Sequence, residues 1–368
     1  MRLKKTKSVK SKPINHYSGI TLSQSYEPER PPFYGGLFLL PHHRCHPSEL
    51  SLFSQARQLS QSLKCLLYPR LWFILKRETN KQPRRTVTLE DWKIGVFTSV
   101  DAGLGVDLNV ANELGIPTIQ IHAPHQGNRT QETADEILAR LSQFGISVTA
   151  VFGGFEGESY ANIPTVVNTV GLMPLETRNS RLAEMKEISD FAKMIGCDVI
   201  ALHLGFVPHE KQDPGYAEIL SVTQELCDYA KDNGQALHLE TGQETAPALL
   251  EFIADSQRDN LFVNFDPANM ILYGAGNPIE AVSLLGDKIR SVHCKDAKWA
   301  ANPGEEWGEE TMLGDGEVGM DDYLRALQSI GYRGPLTIER EIPQEPARQK
   351  EEIGHAVQLL NRLKKEIL

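Results

Sequence analysis

Apolar and polar positions follow a regular pattern from residue 92 to the C-terminus. Short β-branched runs bounded by Gly, Pro or Asn are each followed by a longer segment with apolar residues at helical spacing. The runs predicted as strands are Lys93–Thr98, Thr118–His122, Ser147–Phe152, Val199–Leu204, Ala236–Glu240, Phe262–Asp266, Ile289–His293 and Leu336–Glu339. The segments predicted as helices are Asp107–Leu114, Glu132–Gln143, Arg181–Met194, Tyr216–Asp232, Ala246–Ser256, Ile279–Leu285, Tyr323–Ile330 and Arg348–Ile367.

Eight successive strand–helix units match the count and size of a (β/α)8 TIM barrel. A doubly wound open sheet is the structural alternative, but such sheets usually have fewer strands. No GxGxxG or P-loop sequence follows the first predicted strand to support nucleotide binding. We therefore predict an α/β protein in which residues 89–368 form a TIM-barrel catalytic domain.

Residues 1–88 have a different composition, with 16 Lys+Arg against 4 Asp+Glu. Their charges are scattered among Pro and Ser, which favours a basic extension of low order over a tether to nucleic acid or membrane. The next methionine after Met1 is Met173. A further hypothesis is therefore that residues 1–88 are a misassigned upstream translation and that a non-Met start lies near residue 87 to 89.

Charge and hydropathy narrow the class of partner. Residues 89–368 hold 22 Lys+Arg and 44 Asp+Glu, an acidic balance that argues against binding to a phosphate backbone. No apolar run approaches the length of a membrane span. The five cysteines show no CxxC spacing, which favours reduced thiols in the cytoplasm. We expect a cytoplasmic protein that acts on a small molecule, with a homo-oligomer as one option.

Six ionisable side chains lie at or near the ends of the predicted strands. They are His122, His203, Glu240, Asp266, His293 and Glu339. Buried parallel strands are normally apolar, and a buried ionisable group needs a charge partner or a metal to offset its desolvation. Because the carboxyl ends of TIM-barrel strands form the active site, we expect these side chains to meet at one mouth.

The last four predicted strands carry the strongest candidate for a metal site. Glu240, Asp266, His293 and Glu339 end consecutive strands, and side-chain alternation supports a common inward face. A salt bridge would explain any one of them alone, whereas four in register favour the ligands of one divalent ion. Three carboxylates and an imidazole suit Mn²⁺, Mg²⁺ or Co²⁺, with Zn²⁺ as a further candidate.

From Trp92 to Leu368 the sequence resembles the xylose-isomerase-like sugar phosphate isomerase/epimerase superfamily. The resemblance is carried by LHLETGQET (237–245), NFDPANMILYG (264–274), SVHCKD (291–296), LGDGEVGMDDYLRAL (313–327) and YRGPLTIERE (332–341). It implies that Glu240, Asp266, His293 and Glu339 bind one divalent ion and that the two glutamates are an acid/base pair. Several epimerases of this kind carry a His where this chain has Asn269, so the resemblance supports the site better than any particular sugar.

The physical logic of such a site agrees with that implication. A metal chelated by a carbonyl and its adjacent hydroxyl stabilises the enediolate that forms when the α-proton leaves. Return of the proton on the opposite face epimerises a sugar or keto-sugar, and return to the neighbouring carbon isomerises it. Elimination of a β-substituent would instead make the protein a lyase, such as a keto-inositol dehydratase or a 3-keto-sugar eliminase. Glu240 and Glu339 are the predicted acid and base.

Five residues around the ligands are predicted to bind substrate: His122, His203, Asn269, Lys295 and Trp299. Several other residues near the predicted ligands allow two interpretations each. His238 is either a core histidine or a partner of the site, and Glu341 is an alternative ligand. Lys295 and Asp296 either bind substrate or pair with each other. Trp307, like Trp299, either stacks on a sugar or packs the 298–319 loop, and Gly153-Gly154 indicates a close approach to the site.

Two further functions fit the sequence less well than a sugar-converting enzyme. DNA-repair endonucleases of the related barrel type use three metals, more His ligands and a basic surface, which the acidic balance disfavours. A barrel retained as a binding module is disfavoured by the complete ligand set.

Overall fold

The computed structural model describes residues 86–368, and the predictions made for residues 1–85 lie outside the described residues. Ten strands are present in this part: β1 Ile94–Ser99, β2 Thr118–His122, β3 Ser147–Gly153, β4 Val199–Leu202, β5 Ala236–Glu240, β6 Leu261–Phe265, β7 Ile289–Cys294, β8 Asp296–Lys298, β9 Glu309–Thr311 and β10 Leu336–Ile338. Eight of them form a closed barrel in the order β1-β10-β7-β6-β5-β4-β3-β2, and all its pairings are parallel. The predicted TIM barrel is confirmed.

Along the chain each barrel strand is followed by one or two helices, and β8 and β9 lie between β7 and its helix. The helices are α1 Leu108–Glu113, α2 Gln131–Phe144, α3 Ile163–Thr169, α4 Leu175–Met194, α5 Pro214–Asp232, α6 Ala246–Ser256, α7 Pro267–Tyr273, α8 Pro278–Leu285, α9 Met320–Ile330 and α10 Pro346–Ile367. Short 3₁₀ turns cover Gln126–Asn128 and Gly286–Lys288. No helix in residues 86–368 is long and apolar enough to cross a membrane.

The predicted elements are confirmed with corrections at their ends and in the mouth loops. β4 stops at Leu202 and β10 at Ile338, so His203 and Glu339 come after their strands. Asp266 also leaves its strand, because its side chain caps α7 by accepting the Asn269 backbone N–H at 2.9 Å. Helices α3 and α7 are additions to the predicted set. The 298–319 loop also contains part of a hairpin, because β8 pairs antiparallel with β9.

Apolar packing lies both outside and inside the barrel. Between strands and helices the main core includes the fully buried rings of Trp92, Phe191, Phe252, Phe265 and Tyr323. Inside the barrel, a small cluster comprises Phe97, Ala150, Phe152 and Ala201 on β1, β3 and β4. The strands β5, β6 and β7 instead carry the buried polar residues His238, Asn264 and Ser291. The barrel interior therefore combines an apolar cluster on β1, β3 and β4 with polar side chains on β5, β6 and β7.

Two glutamates, one half-buried and one buried, hold two of the mouth loops by accepting backbone N–H groups. Glu158 accepts from Phe155 at 3.0 Å and from Gly171 at 2.7 Å, which closes the loop that leads into α3 and α4. Glu244, in the β5–α6 loop, accepts from the N–H of Val207 at 3.0 Å and so ties the β4–α5 loop to it. Burial raises the pKa of Glu244 to about 7.

Asp296 anchors the loop that comes after the hairpin. Its carboxylate accepts from the N–H groups of Ala297 at 3.0 Å, Gly314 at 2.9 Å, Gly316 at 3.2 Å and Val318 at 3.1 Å. A Cβ on Gly316 would collide with this carboxylate, so the loop can close around Asp296 only with glycine there. Asp296 is therefore a structural residue, and it does not pair with Lys295.

Replacing Asp296 should destabilise the barrel. We expect Asp296→Ala to lower the free energy of unfolding by about 2 to 4 kcal/mol, because four backbone donors lose a charged acceptor. Urea unfolding measures the change. Asp321→Ala, which removes an exposed ion pair with Arg325, is the control and should cost less than about 1 kcal/mol. Equal effects of the two substitutions would contradict the anchoring role.

Glu244 should make stability depend on pH. Because its pKa is raised in the folded state, the folded chain keeps a proton that the unfolded chain loses as pH rises from the ordinary glutamate range to about 7. Its contribution is therefore present at low pH and lost across that window. We expect the free energy of unfolding of the wild type, relative to Glu244→Gln, to fall by about 2 to 3 kcal/mol between about pH 5 and about pH 8. Parallel pH profiles in urea unfolding would contradict this.

Candidate metal centre

Four predicted ligands converge at the carboxyl end of the barrel. Glu240 ends β5, Asp266 comes directly after β6, His293 lies on β7 and Glu339 comes directly after β10. Each offers one ligand atom, and these atoms all lie within 4.8 Å of one another. Asp266 and His293 are fully buried, whereas the Glu339 side chain is 16% exposed. One edge of the cluster is therefore accessible from the mouth.

The carboxylates surround one ring nitrogen of His293. Its Nδ1 lies 2.7 Å from Glu240 Oε1, 3.1 Å from Glu339 Oε2 and 3.4 Å from Asp266 Oδ2. Among the described residues, neither Nδ1 nor Asp266 Oδ2 has a partner in good hydrogen-bond geometry, although both atoms are buried. Buried polar atoms without partners are costly, and a cation held between them would satisfy both. The donor set fits a divalent ion.

The electrostatics of the cluster favour a positive charge at its centre. Burial raises the pKa of Asp266 to about 6. Burial acts in the same direction on Glu240, but the charges of His203 and His293 outweigh it and lower the pKa to about 2. Burial would lower the pKa of His293, yet Glu339 and Glu240 hold it well above its usual value. The carboxylates thus stabilise a positive charge at Nδ1. A divalent ion bound between them would supply the same positive charge.

His203 contacts a candidate ligand directly. Its Nε2 lies 2.9 Å from Glu240 Oε2, and its Nδ1 lies 3.1 Å from Gln243 Nε2. The ring of Tyr160 packs beside it at a centroid distance of 5.7 Å. The structure therefore places this predicted substrate residue against Glu240, on the side of the carboxylate away from the His293 contact.

Lys295 occupies the corresponding place beside Glu339. Its Nζ lies 3.2 Å from Glu339 Oε2, 3.7 Å from Glu310 and 3.8 Å from Glu341. Burial would lower the pKa of the Lys295 ammonium, but the carboxylates of Glu339, Glu310 and Glu341 hold that pKa well above its usual range. The same charge, with His293, lowers the pKa of Glu339 well below its usual value against the effect of burial. Glu341, the alternative ligand, lies beside Lys295 and is not one of the four clustered residues.

His122 lies at the mouth with one ring nitrogen available. Its Nδ1 donates to the Ala123 carbonyl at 2.8 Å, which leaves the lone pair on Nε2. Burial lowers the pKa of His122, so the ring is neutral at pH 7. A Cβ on Gly154 would come within 2.5 Å of Nε2. The Gly153-Gly154 turn therefore does approach a predicted site residue closely.

Asn269 and the tryptophans take different positions. Asn269 Nδ2 lies 3.5 Å from Glu240 Oε1, so this residue borders the cluster. Trp307 packs on Tyr273 at a centroid distance of 4.6 Å, as the packing interpretation expects. Trp299 is partly buried against the core.

His238 is a core histidine, because it is buried with its Nδ1 2.7 Å from Ser291 Oγ and burial lowers its pKa to about 3.

Gln120, which was not among the predicted site residues, contacts His293 from the other side. Gln120 Oε1 lies 2.6 Å from His293 Nε2, and Gln120 Nε2 donates to Asn264 Oδ1 at 3.2 Å. The sequence did contain a signal that could have identified Gln120 as a site residue. It is a long polar side chain in a buried strand, two residues before His122 and therefore on the same face of β2.

Comparison with known proteins places this barrel in a family. A family model described as xylose isomerase-like TIM barrel matches residues 108–363. A crystal structure of a xylose isomerase domain protein from Planctomyces limnophilus is 60% identical, covers 75% of this chain and 98% of that chain, and gives a TM-score of 0.73.

Curated relatives match over shorter regions. L-ribulose 3-epimerase from Methylomonas sp. (strain DH-1) is 29% identical over 39% of this chain and 48% of that protein. Inosose dehydratase from Lacticaseibacillus casei is 24% identical over 38% of this chain and 51% of that protein. The chain thus spans about half the length of these curated relatives. On the family model and the shared barrel, the chain belongs to the xylose isomerase-like TIM barrel family.

Proposed function

We propose that this protein is a divalent-metal-dependent sugar isomerase or epimerase that removes a proton next to a carbonyl, with Glu240 and Glu339 as acid and base. The observation that carries the proposal is the buried cluster of Glu240, Asp266, His293 and Glu339. The similarity to L-ribulose 3-epimerase supports the substrate class, a small sugar or keto-sugar.

The ligand set determines what the ion contributes. Mn²⁺, Mg²⁺ or Co²⁺ suit three carboxylates and one imidazole, and Zn²⁺ is a further candidate. When bound by these four residues, such an ion supplies Lewis acidity to a substrate carbonyl and its adjacent hydroxyl, which acidifies the neighbouring C–H. The remaining steps are proton transfers by side chains of this chain.

The order of strands puts the two glutamates on opposite sides of the cluster. Around the barrel these four strands follow in the order β10-β7-β6-β5. Glu339 and Glu240 come from the first and the last of them, and His293 and Asp266 come from the two in between. A sugar bound across the row would have one carboxylate on each side. Removal of a proton by one and return by the other inverts a carbon, whereas return to the adjacent carbon isomerises the sugar.

Neighbouring cations keep both glutamates ionised, the form in which a carboxylate can act as a base. His203 and His293 lower the pKa of Glu240, and Lys295 and His293 lower the pKa of Glu339, so both are ionised at neutral pH. The substrate hydroxyls would meet the other predicted residues: His122 through its free Nε2 lone pair, together with Asn269 and Trp299. Lys295 is already enclosed by three carboxylates, which disfavours a phosphorylated substrate.

A lyase is the second candidate, because curated relatives of this chain include inosose dehydratases as well as an epimerase. The same carboxylate would remove the same α-proton. The two reactions differ only after this step. In the lyase reaction a β-hydroxyl leaves as water, whereas in epimerisation or isomerisation a proton returns to the sugar. A keto-inositol is the matching substrate for that outcome.

Incubation with keto-sugars in D₂O should separate these functions. For an epimerase or isomerase, L-ribulose or a related ketose gains deuterium at the α-carbon and otherwise keeps its formula by mass spectrometry. For a lyase, an inosose loses the mass of water. We expect Glu339→Gln to slow the reaction by about 10²- to 10⁴-fold, since an amide cannot transfer the proton. Glu341→Gln, close to Lys295 but outside the cluster, is the control and should stay within a few fold. Turnover by Glu339→Gln at the wild-type rate would remove this residue from the mechanism.

Metal binding should stabilise the folded chain. We expect Mn²⁺ at about a hundredfold excess over its Kd to add roughly 2.7 kcal/mol to the free energy of unfolding of chelator-treated protein. Differential scanning calorimetry with and without Mn²⁺ measures this as a rise in Tm. Asp266→Asn should abolish the rise because it removes a charged ligand, while Glu341→Gln should retain it. An unchanged wild-type Tm would argue for a barrel that does not use a metal.

A further inference from the structure

Only one ring nitrogen of His293 can serve the cluster. In a neutral imidazole one nitrogen carries the proton and the other the lone pair, and the hydrogen bond made by the protonated nitrogen decides which is which. Nδ1 faces Glu240, Asp266 and Glu339. A histidine that binds a metal here must therefore carry its proton on Nε2.

Gln120 supplies the acceptor that this tautomer requires. Its Oε1 lies 2.6 Å from Nε2 of His293, and both side chains are buried. An amide oxygen accepts but cannot donate, so it favours a proton on Nε2 and leaves the Nδ1 lone pair facing the carboxylates. Because glutamine is neutral, it does this without adding a fourth negative charge to the cluster.

Asn264 contacts the other end of the Gln120 amide. Gln120 Nε2 donates to Asn264 Oδ1 at 3.2 Å, while Gln120 Oε1 faces His293. The reversed amide would place an N–H against Nε2, shift the ring proton to Nδ1 and remove the lone pair from the cluster. The observed orientation suits both the imidazolium and the metal-binding imidazole, so the amide need not turn when an ion binds.

Two phenyl rings prevent the imidazole from exchanging its nitrogens by rotation. Phe152 stacks on His293 at a centroid distance of 5.4 Å and an angle of 27°, and Phe97 meets it edge-on at 6.0 Å. In a close-packed interior a ring confined on two sides keeps its orientation. The hydrogen bond from Nε2 is therefore what selects the tautomer.

We propose that Gln120 is a positioning residue that fixes the His293 tautomer for metal binding, an inference that rests on the proposed metal-dependent function. Gln120 acts across the barrel, from β2 to the ligand on β7. Hydrogen-bond partners of metal-binding histidines typically contribute about 10- to 100-fold in metal affinity.

The test compares the Mn²⁺ affinity of the full chain and two variants by isothermal titration calorimetry. Gln120→Met keeps the side-chain length and removes the acceptor, and Gln120→Glu keeps an acceptor. Gln120→Met should bind Mn²⁺ about 10- to 100-fold more weakly, and Gln120→Glu should remain within about threefold of the wild type. Ser291→Ala, which removes the contact with His238, is the matched control for loss of a buried hydrogen bond and should leave the affinity unchanged.

The outcomes separate this inference from the function on which it rests. Equal affinity of the wild type and Gln120→Met, or equal loss in both Gln120 variants, would overturn the positioning role and leave the metal site in place. A wild-type chain that binds no Mn²⁺ would overturn the proposed function itself. Nitrogen NMR of isotope-labelled histidine in the Mg²⁺-loaded wild type gives a readout that needs no variant. The inference requires a proton on Nε2 of His293, and a proton on Nδ1 overturns it.

Discussion

Three carboxylates, two of them buried, converge on one imidazole nitrogen, and the arrangement of the whole site depends on that constraint. Like charges this close repel strongly where water is excluded, so each needs a positive partner. Lys295 meets Glu339 from one side and His203 meets Glu240 from the other. These contacts occupy the two ends of the row and leave the centre, beside His293, as the place where a cation would be stabilised.

The barrel supplies this geometry through four adjacent strands. Because β10, β7, β6 and β5 are neighbours in one parallel sheet, each brings one of the four clustered side chains to the same end. The polar interior on this side costs stability, since buried polar groups gain little from burial. Apolar packing offsets that cost elsewhere, in the cluster around Phe97 and Phe152 and in the core beneath the helices. The two phenyl rings also hold the His293 imidazole in place, so stability and site geometry share the same residues.

Features that depend on residue order along the chain could be predicted from the sequence, whereas contacts across the barrel could not. Strand count, the inward face and the convergence of the four clustered residues all derive from alternation and from residue types at strand ends. Gln120 and His293 lie 173 positions apart, and no local pattern relates them. For Asp296 the sequence indicated a substrate-binding or pairing role, because its four backbone partners come together only when the loop is folded. The helix α7 was not predicted, although Asp266-Pro267 is a typical N-cap and first-turn pair that indicated its start.

The cluster alone does not decide between epimerisation and elimination, because both begin with the same proton transfer. The decision must rest with groups that hold the substrate's other hydroxyls and with the room left for water to depart. Those groups lie in the mouth loops, which are fixed by Glu158, Glu244 and Asp296 and by packing of Trp307 on Tyr273. Loops anchored in this way hold their side chains at set positions relative to Glu240 and Glu339. The outcome of the proposed reaction is therefore expected to depend on residues of these loops, and on Asn269 of α7, whose side chain borders Glu240, more than on the four clustered residues.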